Sequence, residues 1–125
     1  MKTVVNTPNA PAPIGPYSQA VLSNGMLLVS GQIPIDPATG KVVEGGVEAQ
    51  ARQVMKNLGS ILNAAGMDFS NVVKCSIFLT DMGDFPKVNS VYGEHFKADP
   101  PARETVQVCK LPMLVDVEIS CIAVK

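Results

Sequence analysis

The sequence predicts an α+β domain in which a mixed β-sheet carries two helices on one face. Three observations lead there. Valine supplies 17 of the 125 residues, and β-branched side chains suit a pleated, half-buried surface. Residues 47–65 repeat apolar side chains every three or four positions, the spacing of a helix with one face on a flat apolar layer. Strand-like runs surround that helix and a second, shorter one, in the order hairpin, helix, strand, helix, strand, strand. At 13.2 kDa the chain has the size of a single domain spanning residues 1–125.

Residues 7–16 place four prolines in ten positions. Proline cannot donate to a sheet ladder, so an extended surface segment or loop is expected. Residues 17–22 and 26–30 read as the arms of a hairpin, because Asn24-Gly25 between them tolerates the positive φ of a tight turn. Asp36-Pro37-Ala38-Thr39-Gly40 is a second turn. In the helix over 47–65, Val47, Ala51, Val54, Met55, Leu58, Ile61, Leu62 and Ala65 form the apolar stripe. Gly66 stands where a left-handed C-terminal cap belongs. Residues 72–80 make a mostly apolar run fit for a central strand. A second helix is predicted over 84–97, with Asp84 as its cap, Pro86 in its first turn, and Phe85, Val88, Val91, Tyr92 and Phe96 as its stripe. Strands over 103–109 and 115–124 complete the order. The last is apolar at both parities apart from Glu118 and Ser120. Both its faces are therefore expected to be covered, one by the helices and the other by another copy of the chain.

A net charge of −1 gives no electrostatic drive toward nucleic acid or anionic lipid. No apolar run reaches the roughly 18 residues of a membrane span, and the first residues lack the apolar stretch of a secretory signal. A soluble, cytoplasmic protein with neither nucleic-acid nor membrane partners is expected. Cys75, Cys109 and Cys121 show no C-x-x-C spacing and read as small buried hydrophobes. His95 is the only histidine, which excludes multi-histidine metal sites, and helical spacing sets it beside Val91 and Tyr92 at the edge of the core. Neither G-x-G-x-x-G nor a phosphate loop occurs, so no metal and no nucleotide cofactor is expected.

Two charges stand in unusual settings. Arg103 opens a strand directly after Pro100-Pro101-Ala102, and its fork of donors suits bidentate capture of a carboxylate. Glu118 sits between Val117 and Ile119 in an apolar strand, where a carboxylate is paired, exposed at an interface, or partly protonated by desolvation. On pattern alone an Arg103–Glu118 ion pair, or two unrelated surface charges, is the simpler reading. A catalytic pair is the other.

Ile14-Gly15-Pro16-Tyr17-Ser18-Gln19-Ala20 and Ser30-Gly31-Gln32-Ile33-Pro34 resemble the opening signatures of the RidA/YjgF family of enamine/imine deaminases. Gln50-Ala51-Arg52-Gln53, Asn57-Leu58, Ala64-Ala65-Gly66, and Val91-Tyr92 with Phe96 continue the resemblance. Pro101-Ala102-Arg103, Val106-Gln107-Val108, Leu111-Pro112 and Val117-Glu118-Ile119 carry it over essentially the whole chain. It implies a six-stranded, chorismate-mutase-like sheet with two helices on one face. It further implies a homotrimer with a central barrel and sites in the clefts between subunits. The implied reaction is hydrolytic deamination of 2-imino and enamino acids to 2-oxo acids and ammonia, without a cofactor. Its substrates, 2-aminoacrylate/2-iminopropanoate and 2-iminobutanoate, are released by pyridoxal-phosphate dehydratases.

The family's carboxylate-binding arginine falls on Arg103, its water-positioning glutamate on Glu118 and its aromatic wall on Tyr17. Backbone and hydroxyl contacts fall on Ser30 and Gly31, and a second-helix asparagine on Asn89. Thr105 replaces a cysteine common in the family and is grouped with the substrate-binding residues. Glu104 stands where the family usually has a small residue. Strand alternation should point it away from Arg103, whereas a twist or bulge would let it compete for the guanidinium. Ser120 replaces a common glutamate. A function of another class also stays open: a non-catalytic trimer that binds small carboxylates, or a regulatory or chaperone-like protein.

Overall fold

The computed structural model describes residues 1–125. Strand β1 (Thr3–Val5) pairs antiparallel with β2 (Ala20–Ser23), which turns through Asn24 and Gly25 into β3 (Met26–Gln32). The two turn residues have φ of 51° and 76°, the left-handed region that a two-residue hairpin requires. Strand β1 lies outside the sequence expectation, since three residues are too few to show an alternation. The hairpin arm starts at Ala20 and not at residue 17, because Tyr17 and Ser18 still belong to the proline-rich loop. The turn at 36–40 joins a small separate hairpin, β4 (Ile35–Asp36) and β5 (Lys41–Val42).

Helix α1 (Gly46–Ala64) buries Val47, Ala51, Val54, Met55, Leu58, Ile61 and Leu62. Gly66 has a φ of 72°. The amides of Gly66 and Met67 reach back to the carbonyls of Asn63 and Leu62 at 3.0 and 2.9 Å, a Schellman end built on the expected glycine. Strand β6 (Val72–Leu79), helix α2 (Phe85–Gly93), β7 (Ala102–Gln107) and β8 (Val117–Val124) follow. Helix α2 ends at Gly93, short of residue 97, and Asp84 does not cap it. Asp84 is itself in the right-handed helical region and makes no capping bond, whereas Asp81 accepts the Gly83 amide at 2.8 Å in the preceding 3-10 turn. His95 accordingly lies beyond the helix, exposed, with its ring 4.7 Å from that of Phe69.

The main sheet has the order β1-β2-β3-β8-β6-β7, with every neighbour antiparallel except the β6–β7 pair. Leu27, Val29, Cys75, Ile77, Val117, Ile119 and Cys121 face the helices and join their stripes in one cluster of 24 buried residues. Burial alternates along β8: Val117, Ile119, Cys121 and Ala123 are buried, while Glu118, Ser120 and Ile122 are half-buried. Within one chain the second face of the sheet is thus uncovered, and it presents exposed Val4, Leu28 and Val106. Cys75 and Cys121 are buried directly opposite one another, but Cys109 is exposed, since β7 ends at Gln107 and leaves it in the following loop. No helix is long and apolar enough to cross a membrane.

Candidate functional site

Two clefts on opposite faces of the sheet hold the site residues singled out by the sequence, except Thr105, which lines neither. Arg103 is on β7, in register with Cys75 and, through it, with Cys121. Both cysteines face the helices, so Arg103 does too. Helix α2 receives it there. Arg103 Nη1 donates to Asn89 Oδ1 at 2.8 Å, and the guanidinium carbon lies 5.0 Å from the centre of the Tyr92 ring and 5.5 Å from that of Phe85. Ring faces orient a guanidinium without neutralising it. The chain's two ion pairs are Arg52–Glu94 and Lys74–Glu104, so Arg103 has no carboxylate partner. Phe96, Pro100 and Pro101 help close a cleft of about 440 Å³ beside it. Thr105 shares this face of β7, but its hydroxyl is buried without a hydrogen bond. The Tyr92 hydroxyl is likewise unpartnered, beside the Cys75 thiol, and burial pushes its ionisation upward; burial also lifts the Cys121 thiol to about 12.

Glu118 is in register with Phe78, and Phe78 with Val106, on the open face. Its carboxylate lies against Gly31, where an added Cβ would sit 2.3 Å from Oε2, so this approach needs a residue without a side chain. Gly31 falls where the β3–β8 register shifts between Val29 and Gln32, a bulge that re-aims the strand. Ile14, Tyr17, Ser30, Ile33 and Pro112 complete a cleft of about 340 Å³. Burial alone holds the Glu118 carboxyl above the usual carboxylate range, because desolvation penalises its charge and no cation offsets this. The Ser30 hydroxyl donates to the Ser18 carbonyl at 2.6 Å. The Tyr17 hydroxyl accepts the Ile14 amide at 3.4 Å.

Of the two simpler readings that pattern alone allowed, the Arg103–Glu118 ion pair is therefore absent. Arg103 shares its row with Cys121, three residues from Glu118, and an odd offset on a strand means opposite faces. Asn89 and Thr105 fall on the Arg103 side, and Tyr17, Ser30 and Gly31 on the Glu118 side. Glu104 points to the open face, as alternation predicted. The Ser76 hydroxyl and Lys74, the latter at 2.9 Å, hold it there, and the Ser76 hydrogen bond first, then Lys74, keeps its carboxyl below the usual range. It does not compete for the guanidinium. The cradle of Phe85 and Tyr92 escaped the sequence reading, which placed both only in the apolar stripe. Their spacing with Asn89, at i, i+4 and i+7, was the available signal for one shared face. No group of three or more His, Cys, Asp and Glu side chains is placed to hold a metal ion.

Two side-chain amides, buried Asn57 and half-buried Gln50, fix the strands that carry these clefts. Asn57 Nδ2 donates to the carbonyls of Ile33 and Ile35 at 3.2 and 3.0 Å, just after β3. Gln50 exchanges two hydrogen bonds with Asp116, just before β8.

A family model described as Endoribonuclease L-PSP matches residues 7–125. The chain is 55% identical over 125 residues to protein DfrA of Myxococcus xanthus, covering 98% of this chain and 95% of that protein. It is 47% identical to the 2-iminobutanoate/2-iminopropanoate deaminase of Homo sapiens, over 100% of this chain and 91% of that one. The crystal structure of YyfA of Yersinia pestis, described as a protein of unknown function of the conserved Rid family, has the same fold. Its TM-score is 0.97 at 48% identity, covering 100% of both chains. Motifs, fold and relatives agree, and the chain belongs to the RidA/YjgF family of enamine/imine deaminases.

Proposed function

We propose that the protein hydrolyses 2-iminobutanoate and 2-iminopropanoate, with enamine tautomers such as 2-aminoacrylate, to 2-oxo acids and ammonia. We further propose that it does so as a homotrimer with its sites between subunits. The division of the site carries this reading. One copy presents a cation without a carboxylate partner on the helix side and a desolvated, unpaired carboxylate on the open face. A cleft joining Arg103 of one copy to Glu118 of the next completes what a single chain leaves in halves. The uncovered apolar sheet face supports the same assembly.

The carbon of a protonated imine is already electrophilic, so the reaction needs no covalent nucleophile, and the rate comes from holding the reactants in place. Arg103, oriented by Asn89 and the two rings, binds the substrate carboxylate with its remaining donors. Water adds its oxygen to the imine carbon while Glu118 takes the released proton, giving a carbinolamine. The same carboxyl then returns the proton to nitrogen. As the C–N bond breaks, the carbinolamine hydroxyl gives its own proton to the freed carboxylate, leaving the carbonyl of the 2-oxo acid. The carboxyl passes that proton on to the departing ammonia. A carboxyl held above its ordinary range suits both accepting and returning that proton. Tyr17, Ser30 and Gly31 bound the space beside it.

The test is a coupled assay in which a threonine dehydratase generates the imine and 2-oxobutanoate is followed. The protein should accelerate its appearance in proportion to protein added. Binding of 2-oxobutanoate with no acceleration would instead mark a carboxylate-binding module. The single histidine, His95, lines neither cleft, which leaves ribonuclease chemistry without its usual base.

A further inference from the structure

Gln19 makes four hydrogen bonds through one carboxamide. Its Oε1 accepts the Thr7 amide at 2.7 Å, and the two N–H groups of Nε2 donate to the carbonyls of Thr7, Ala10 and Pro11 at 3.0, 3.2 and 3.0 Å, one N–H being shared between two of them. The residue is 2% exposed. The β1–β2 ladder ends at the Val5–Ala20 pair. Two residues further on, the Gln19 side chain stands in for a neighbouring strand and offers Thr7 both an acceptor and a donor. The prolines at 8, 11, 13 and 16 deny the intervening loop a sheet ladder or helix of its own, so this amide is what closes the loop onto the body.

That loop is a wall of the Glu118 cleft, to which it contributes Ile14 and Tyr17. The backbone beside Gln19 ties the wall to the floor. The Gln19 carbonyl accepts the Ser30 amide at 2.9 Å, and the Ser18 carbonyl accepts the Ser30 hydroxyl at 2.6 Å, next to Gly31.

We propose that Gln19 is a positioning residue whose carboxamide anchors the proline-rich loop and so sets where Ile14 and Tyr17 stand over Glu118. Its effect on rate rests on the deaminase reading, whereas the anchoring does not. Loss of the Nε2 donors leaves three loop carbonyls without their partner. The loop can then lift without disturbing the core, because of residues 8–16 only Ala10 belongs to the buried cluster.

The chain has two tyrosines and no tryptophan, which gives a readout independent of activity. With 3-fluorotyrosine incorporated, Tyr17 and Tyr92 give two fluorine resonances, assigned through Tyr17→Phe. In Gln19→Glu, which keeps the shape but exchanges the donor for a carboxylate, the Tyr17 resonance should narrow and move toward that of the free amino acid. The resonance of core residue Tyr92 should stay. The ratio kcat/KM for 2-iminobutanoate should fall roughly 10²-fold, the scale of a misplacement of about an ångström. Gln19→Met removes the hydrogen bonds without adding charge and should reproduce the pattern if the carboxylate impairs folding. An unmoved Tyr17 resonance, or both resonances moving together, overturns the proposal. So does a normal kcat/KM with Tyr17 displaced. A wild-type protein without deaminase activity, whose Tyr17 resonance still responds to Gln19, would reject the deaminase reading and keep the anchor.

Discussion

Replacing Arg103 separates a substrate clamp from a structural charge. Its contacts within the chain are one hydrogen bond to Asn89 and two aromatic faces, with no carboxylate among them. Arg103→Ala therefore strands no buried counter-ion. Folding should lose only what a charge-assisted hydrogen bond and a half-exposed stack supply, about 1–2 kcal/mol. Catalysis should lose more. A bidentate guanidinium–carboxylate contact desolvated by a bound substrate is worth about 2–5 kcal/mol. That converts to a fall in kcat/KM between about 30-fold and a few thousand-fold. Arg103→Lys keeps the charge but cannot reach Asn89, lie over two rings and grip a carboxylate with a fork, so it should recover little. Asn89→Asp sharpens the test by placing an internal carboxylate where Oδ1 now lies 2.8 Å from the guanidinium; it should raise KM with a smaller effect on kcat. The assay is dehydratase-coupled 2-oxobutanoate formation, run beside circular dichroism and thermal melting. Activity of Arg103→Lys within about threefold of wild type, or a loss in Arg103→Ala that merely tracks unfolding, would refute the clamp.

Glu118→Gln removes the proposed base, and kcat should fall about 10²–10⁴-fold while binding of 2-oxobutanoate, followed calorimetrically, changes little. The same variant has a stability signature. Burial raises the folded carboxyl above its unfolded value, so the stabilising contribution of the protonated form is complete below the unfolded pKa and lost as pH rises through the folded one. Glu118→Gln, which cannot ionise, should thus melt at or above the wild-type Tm at neutral pH, with the gap closing on acidification. A clearly lower Tm would make Glu118 a structural partner instead. Gly31→Ala puts a Cβ 2.3 Å from Glu118 Oε2 and must displace the carboxylate. Its kcat should approach that of Glu118→Gln, and the double variant should be little worse than either alone; additive losses would contradict the shared site. Glu104→Gln acts on the face opposite Arg103, so kcat/KM should stay within about threefold of wild type, and a tenfold rise would mean that Glu104 competes for Arg103 after all.

The parts of the fold legible in the sequence are those with a local cause. Helix α1 shows five turns of apolar stripe and a glycine end, and Asn24-Gly25 dictates its hairpin. Strand β1 depends on a partner at residues 20–22 and leaves no local mark. The end of α2 misleads for a physical reason. Phe96 keeps helical spacing from Tyr92 and packs 4.7 Å from its ring, although the chain has already left the helix at Gly93. In the site, Arg103 and Glu118 stand out as charges in apolar or rigid settings, but their opposite faces follow from the registers of β6 with β7 and β8. A one-residue slip in either register would reverse the answer. The role of Gln19 was equally hidden, because the carbonyls it satisfies belong to a loop whose path no periodicity encodes.

Complementation between two inactive variants tests the shared site most directly. Arg103→Ala chains keep Glu118, and Glu118→Gln chains keep Arg103. Unfolded together in equal amounts and refolded, they should form mixed trimers in which roughly a quarter of the sites pair two intact halves, and the mixture should regain about that fraction of wild-type deaminase activity. A mixture no more active than the separate variants, with mixed oligomers verified by native mass spectrometry, would contradict the account.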